Sequence, residues 1–210
     1  IGNDIPKGAF TKGQELVLKT IAIIVSLIAW IWAFVLLAKS DVHPAYFVAG
    51  HVMAGLACIC TSLIALVATI ARQIRNVYTD KERKQWPKLV LLMGTISLLW
   101  GLFVIFADSS STNGVIGYIM IGLGLVCYSI SSKVILLAKI WGREFALANR
   151  IPLIPVLTAL ACLFLASFAF ELGTTHDDYF IPARVLAGLG AICFTLFSIV
   201  SILESGTSSK

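Results

Sequence analysis

Six stretches of roughly 20 or more residues run almost free of charge along this chain: Leu16 to Ala38, Ala45 to Ala71, Lys88 to Ala107, Gly114 to Ala138, Pro152 to Glu171 and Ile181 to Leu203. A hydrocarbon core about 30 Å thick takes roughly 20 mostly apolar helical residues to cross. Lipid offers the backbone no hydrogen bonds, so a spanning segment must be a helix or part of a closed barrel. Alternating strands of barrel type are absent. The predicted fold class is therefore all-α, a polytopic membrane protein with six transmembrane helices. Composition points the same way. Of 210 residues, 59% are hydrophobic and only 13% charged, where a soluble domain carries about a quarter.

The basic residues predict an orientation. Arg72, Arg75, Lys81, Arg83, Lys84 and Lys88 crowd the connection between the second and third spans. Lys139, Arg143 and Arg150 follow the fourth, and Lys7, Lys12 and Lys19 precede or open the first. The other three connections hold Lys39, no base, and Arg184. The positive-inside bias then puts both termini and the basic loops in the cytoplasm. The net charge of +5 is explained by topology, so a nucleic-acid partner is not required. The chain divides into a lead-in at 1–15, a hairpin at 16–71, a basic loop at 72–87, a second hairpin at 88–138, a basic loop at 139–151, a third hairpin at 152–204 and a tail at 205–210. Residue 1 is Ile, which marks a processed product or a piece of a longer protein, and nothing near it resembles a cleavable signal peptide.

The hairpins repeat. GHVMAGLACICTS (Gly50 to Ser62) returns as GYIMIGLGLVCYS (Gly117 to Ser129) and as ARVLAGLGAICFT (Ala183 to Thr195). Gly55, Gly122 and Gly188 are 67 and 66 residues apart, and Cys60, Cys127 and Cys193 keep the same spacing. Units with an even number of spans share one topology and are related by an axis along the membrane normal. The expected architecture is three repeated hairpins around such an axis, with the even helices innermost because their small residues permit close approach.

Residues four, seven and eleven apart share a helix face. The three equivalent faces carry His51, Gly55, Cys58 and Ser62; Tyr118, Gly122, Leu125 and Ser129; and Arg184, Gly188, Ala191 and Thr195. Each begins with a polar group near the outer end and reaches a hydroxyl about 16 Å deeper, at 1.5 Å per residue. One reading makes them the lining of a narrow wet passage, with His51, Tyr118 and Arg184 at its outer mouth. Histidine changes charge near neutrality, which would make such a mouth acid-responsive. The other reading is close packing by glycine and serine, with the polar groups at headgroup level. Lys133 lies inside the fourth span without a counterpart in the other copies, and its long stem suits snorkelling. Asp41, His43, Asp108, His176, Asp177 and Asp178 fall in the outer loops, as a pH-sensitive surface or as solvated loop ends.

Several chemistries are not indicated. The five cysteines all sit in apolar runs, without the pairing or spacing of disulfides or of a metal site. Nucleotide-binding glycine loops, HExxH and GxSxG are missing, and no pair of intramembrane carboxylates appears. The expectation is no enzyme, no cofactor and no metal.

The segments IVSLIAWIW, YFVAGHVMAGLACIC, ALVATIARQIRN, LANRIPLIPVLTALACLFLASF and YFIPARVLAGLGAICFTLFSIVSILESG resemble the YhiM-type bacterial inner-membrane proteins over nearly the whole chain. The resemblance implies a bacterial inner-membrane location and a link to acid resistance, a stress response. It also implies that this is the C-terminal part of a longer protein with further such hairpins upstream. Only the first copy keeps Gly-His, so the family's pattern does not predict a symmetric ring of histidines. The functional expectation is a channel, transporter or sensor for an unidentified small solute or ion. The alternative is a non-transporting scaffold or regulator that binds lipid, a partner membrane protein or a homo-oligomer.

Overall fold

The computed structural model describes residues 11–143 and 150–208, with side chains given as far as residue 202. The first ten residues of the expected lead-in, Asn149 of the second basic loop and the end of the tail lie outside the described residues. Six long helices account for nearly everything else: α1 (Lys12–Ala38), α2 (Pro44–Ile74), α3 (Asp80–Ala107), α4 (Ser111–Trp141), α5 (Leu153–Gly173) and α6 (Phe180–Ser208), with a single 3-10 turn at Asp177–Tyr179 before α6. All six are long and apolar enough to cross a membrane, as the charge-free runs predict.

Local chemistry fixes where the helices start. Thr11 and Gln14 form a reciprocal capping box at α1, and Thr79 and Glu82 form another at α3. His43 Nδ1 accepts a hydrogen bond from the Ala45 amide, with Pro44 in the first turn of α2, where its missing N–H costs nothing. The box at Thr79 starts α3 well before Lys88, where the apolar run begins, so most of the basic segment expected to be a loop is helical. Its remaining connection turns on Asn76, whose φ of 60° closes α2. The Asn76 amide donates to Gln73 O and the Val77 amide to Arg72 O, the paired C-terminal bonds that need a left-handed residue at this point.

Each odd helix packs along the even helix that follows it: α1 on α2, α3 on α4 and α5 on α6. In the middle pair, glycines set the distance. A Cβ on Gly124 would stand 2.9 Å from Gly94 O, and one on Gly101 2.8 Å from Gly117 O, so the two antiparallel backbones nearly touch. The even helices stand in a row, with α2 and α6 on different flanks of α4 and no contact between them. The ring expected of three hairpins is therefore not closed by the described residues. The reason is bulk. Ile119, Leu123, Val126 and Ile130 of α4 fill the main core and keep its two neighbours apart. The apolar window of α4 is accordingly 89% buried, against 17% for α1.

Candidate functional site

The repeated faces are where the sequence points, and the structure places each in a different setting. His51 is buried. Its Nδ1–H donates to Phe47 O at 2.7 Å, and its ring lies edge-on to Phe47 and to Trp100 of α3. Below it, Gly55 is covered by Leu123 and Met120 of α4. Cys58 and Ser62 have no exposed surface, and Ser62 Oγ donates to Cys58 O at 2.8 Å. The whole first face is pressed against the second hairpin.

The second face is pressed against the third hairpin in the same manner. Tyr118 lies edge-on to Tyr179. A Cβ on Gly122 would come within 2.7 Å of both Leu186 and Leu189 of α6, and Ser129 is fully buried beside Cys193. The third face meets no following hairpin among the described residues, and Arg184 at its head lies 5.6 Å from the ring centroid of Phe170 on α5. Arg184 is exposed and lies over the ring of its own helix's Phe180, 3.2 Å from the centroid, with its guanidinium also donating to Phe180 O at 3.2 Å. No atom lies within 4 Å of a Cβ on Gly188, and Thr195 is exposed, donating back to Ala191 O. His51, Tyr118 and Arg184 do not meet at a common mouth, because α2 and α6 do not touch. Of the candidate axis-facing residues, Gly55, Cys58, Ser62, Gly122 and Ser129 lie in contacts between successive hairpins, while Gly188 and Thr195 are open among the described residues.

At the basic ends of the helices the structure assembles groups that sequence reasoning missed. Glu15 of α1 is only 4% exposed. It is ion-paired with Lys19, one turn on, and with Arg75, while Arg72 lies 3.7 Å away and pairs also with Glu82 of α3. One carboxylate thereby ties α1 to α2, and Arg72 extends the tie to α3. The Glu15-to-Lys19 spacing of four was the available signal. The arginines came from another helix and could not be read. Nearby, Arg83, Lys84 and Pro87 of α3 and Ile135, Ala138 and Lys139 of α4 line a recess of about 310 Å³. Arg83 lies 3.4 Å from Asp80. Tyr78 and Trp141 pack edge to face beside this end, and burial holds the Tyr78 phenol above its usual titration range. Several cations around a partly apolar hollow at a helix end are the chemistry that recognises an anionic headgroup.

Lys133 lies above the recess on α4. It is 8% exposed and has no ion pair among the described residues. A hydroxyl network pins α1 to α2 at mid-membrane. Thr61 Oγ1 donates to Ala57 O at 2.8 Å, so the bonds it shares with Ser26 (2.8 Å) and Trp30 Nε1 (3.0 Å) are ones it accepts. Ser26 and Trp30 are one turn apart, which was a legible signal for a polar stripe. At the opposite end, Ser111 of α4 donates to Asp178, so one of the outer-loop acids joins two hairpins. His176 Nδ1 lies 3.0 Å from the Thr175 hydroxyl, and its ring lies edge-on to Tyr179. Among the described residues no three histidine, cysteine, aspartate or glutamate side chains come together as a metal site, and all five cysteines are free thiols.

Residues 2–208 match the family model described as "Protein of unknown function (DUF2776)". The curated "Inner membrane protein YhiM" of Escherichia coli (strain K12) is 52% identical over 190 residues, an alignment covering 90% of this chain and 54% of that protein. The chain thus spans about half the length of the curated relative it matches. No solved structure matches.

Proposed function

The chain belongs to the DUF2776 family, and on that footing we propose that it is a non-enzymatic scaffold of the bacterial inner membrane. Its hairpins form a dry, tightly packed wall, and its basic end holds an anionic lipid headgroup. The observation that carries this reading is the filling of Gly55 by Leu123 and of Gly122 by Leu186 and Leu189. A passage lined by those faces would need water where the leucines stand. The recess between Arg83, Lys84 and Lys139 supplies the lipid contact, and its three cations favour placing that end, with both termini, in the cytoplasm. The role in acid survival that the likeness to YhiM-type proteins implies would then be exercised through membrane organisation.

The test uses purified protein in two assays. In vesicles it should raise proton and ion flux no further than protein-free vesicles do. After extraction, mass spectrometry should find cardiolipin or phosphatidylglycerol retained, and the Lys84→Gln/Lys139→Gln pair should release it. Flux above the blank, or lipid retention indifferent to the pair, would overturn the proposal.

A second reading, passage or sensing of a small solute or ion, is favoured by Lys133. A nearly buried lysine without an ion pair at membrane depth is a functional candidate by its cost alone. Flux in the same vesicles that disappears in Lys133→Met would select it.

A further inference from the structure

Sulfur gathers along one seam of the bundle. The chain holds five cysteines and three methionines, and two of each lie where α2, α3 and α4 adjoin. Cys58 of α2, Met93 of α3 and Cys127 of α4 form one buried cluster, ringed by Trp30, Ile59, Leu89 and Ile96. Neither cysteine has any exposed surface. A fourth sulfur follows along the seam. Met120 Sδ of α4 lies over Gly55, three residues before Cys58, and 3.2 Å from where a Cβ would stand.

The backbones impose this convergence. A Cβ on Gly124 would stand 2.9 Å from Gly94 O, so α3 and α4 close up at the residue beside Met93. Ser97, one turn after Met93, donates to Met120 O at 2.8 Å and fixes the register of the two helices. On α2, Ser62 Oγ donates to Cys58 O and lies beside Cys127.

Three helices thus bring two thiols and a thioether into contact in a setting otherwise made of hydrocarbon. Such donors select copper(I) over harder ions, which favour oxygen or imidazole. The chain carries its own contrast. Cys162 and Cys193 also adjoin, but the hydroxyls of Thr158 and Ser129 stand beside that pair where Met93 stands beside the first.

We infer that Cys58, Met93 and Cys127 form a binding site for a soft monovalent metal cation of the copper(I) class. On binding, the S–H bond of Cys127 gives way to a sulfur–metal bond, and its proton passes to solvent. One thiolate on one monovalent cation is neutral, which suits an apolar core. The Cys58 thiol and the Met93 thioether complete the coordination without adding charge. The Ser62 hydroxyl can turn from Cys58 O to donate to the Cys127 thiolate. The bound ion then ties the first hairpin to the second.

Competition for copper(I) tests this. The Cys60→Ala/Cys193→Ala protein keeps Cys58 and Cys127 and leaves Cys162 without its partner thiol. Purified in detergent without oxygen and titrated with copper(I) bicinchoninate, it should withdraw one equivalent per chain. Adding Cys127→Ala should abolish the withdrawal. Adding Met93→Leu, which conserves volume and so keeps the fold, should weaken binding at least about tenfold. Silver(I) should raise the unfolding temperature of the parent variant and leave that of Cys127→Ala unchanged. If the parent withdraws no copper, or Cys127→Ala still does, the sulfurs are packing alone and the inference fails. An affinity unchanged by Met93→Leu overturns the three-sulfur site equally.

Discussion

Leu123 of α4 occupies the volume that a side chain on Gly55 of α2 would need. The same substitution should therefore have opposite consequences at equivalent positions of the repeat. Gly55→Leu forces α2 and α4 apart and should cost about 1–3 kcal/mol, the usual range for overpacking a core. Gly188→Leu meets nothing among the described residues and should leave the unfolding temperature in detergent unchanged. Equal melting of the two variants would contradict the packing described.

Thiol chemistry distinguishes the two faces of one helical segment. Cys58 is fully buried between α2 and its neighbours, while Cys60, two residues on, is half-buried. A maleimide added to detergent-solubilised native protein should label Cys60 first and reach Cys58 only on unfolding. Peptide mass mapping over a time course reads the order, and early labelling of Cys58 would mean that the His51 face is wet.

Glu15 should prove the most sensitive charge at the basic end. Replacing it with Gln leaves Lys19, Arg72 and Arg75 around a neutral group. The expected loss is about 1–3 kcal/mol, in line with hydrogen bonds to charged partners. Limited proteolysis should then cut first near the start of α1. Lys81→Gln, outside the ion-paired cluster, is the control that should not.

Thr61→Val removes the acceptor shared by Ser26 and Trp30 while keeping the shape of the side chain. Polar contacts between membrane helices average about 0.6 kcal/mol and reach about 1.7. The presence of two donors places this loss toward the upper figure. The indole N–H resonance of Trp30 should move upfield. An unmoved resonance would mean that Trp30 has another partner.

Lys133→Met keeps the stem and drops the charge. Isosteric apolar replacement of a buried charge is commonly neutral or stabilising, so the unfolding temperature should hold or rise. A fall would mean that the ammonium has a partner, which the substitution leaves uncompensated.

How much of this was legible in the sequence differs from element to element. The spans were readable because charge-free runs leave the chain no alternative in lipid. The repeat was readable because Gly55, Gly122 and Gly188 recur with their cysteines. The capping box at Thr79 carries α3 into a segment whose charges read as loop. The T-x-x-E spacing of Thr79 and Glu82 is the local signal that marks this start. Glu15 went unremarked because two of its three cationic neighbours, Arg72 and Arg75, lie about 60 residues away. The His51 face stands out in the sequence because small and polar residues in register mark a surface that something approaches. What approaches it was not in the pattern.

The sequence by itself determined the helices, their pairing by short connections, the end on which the bases gather and the periodic placing of glycine. All of these follow from local spacing and from the cost of taking charge or bare backbone into lipid. Only the tertiary structure decided which face of each even helix meets which neighbour, that α4 is enclosed, and that Gly188 of α6 is uncovered among the described residues. Lipid tails and protein interiors are equally apolar, so polarity does not tell a buried face from a lipid-facing one. That choice falls to shape, settled where Leu123 fits over Gly55 and where Leu186 and Leu189 fit over Gly122.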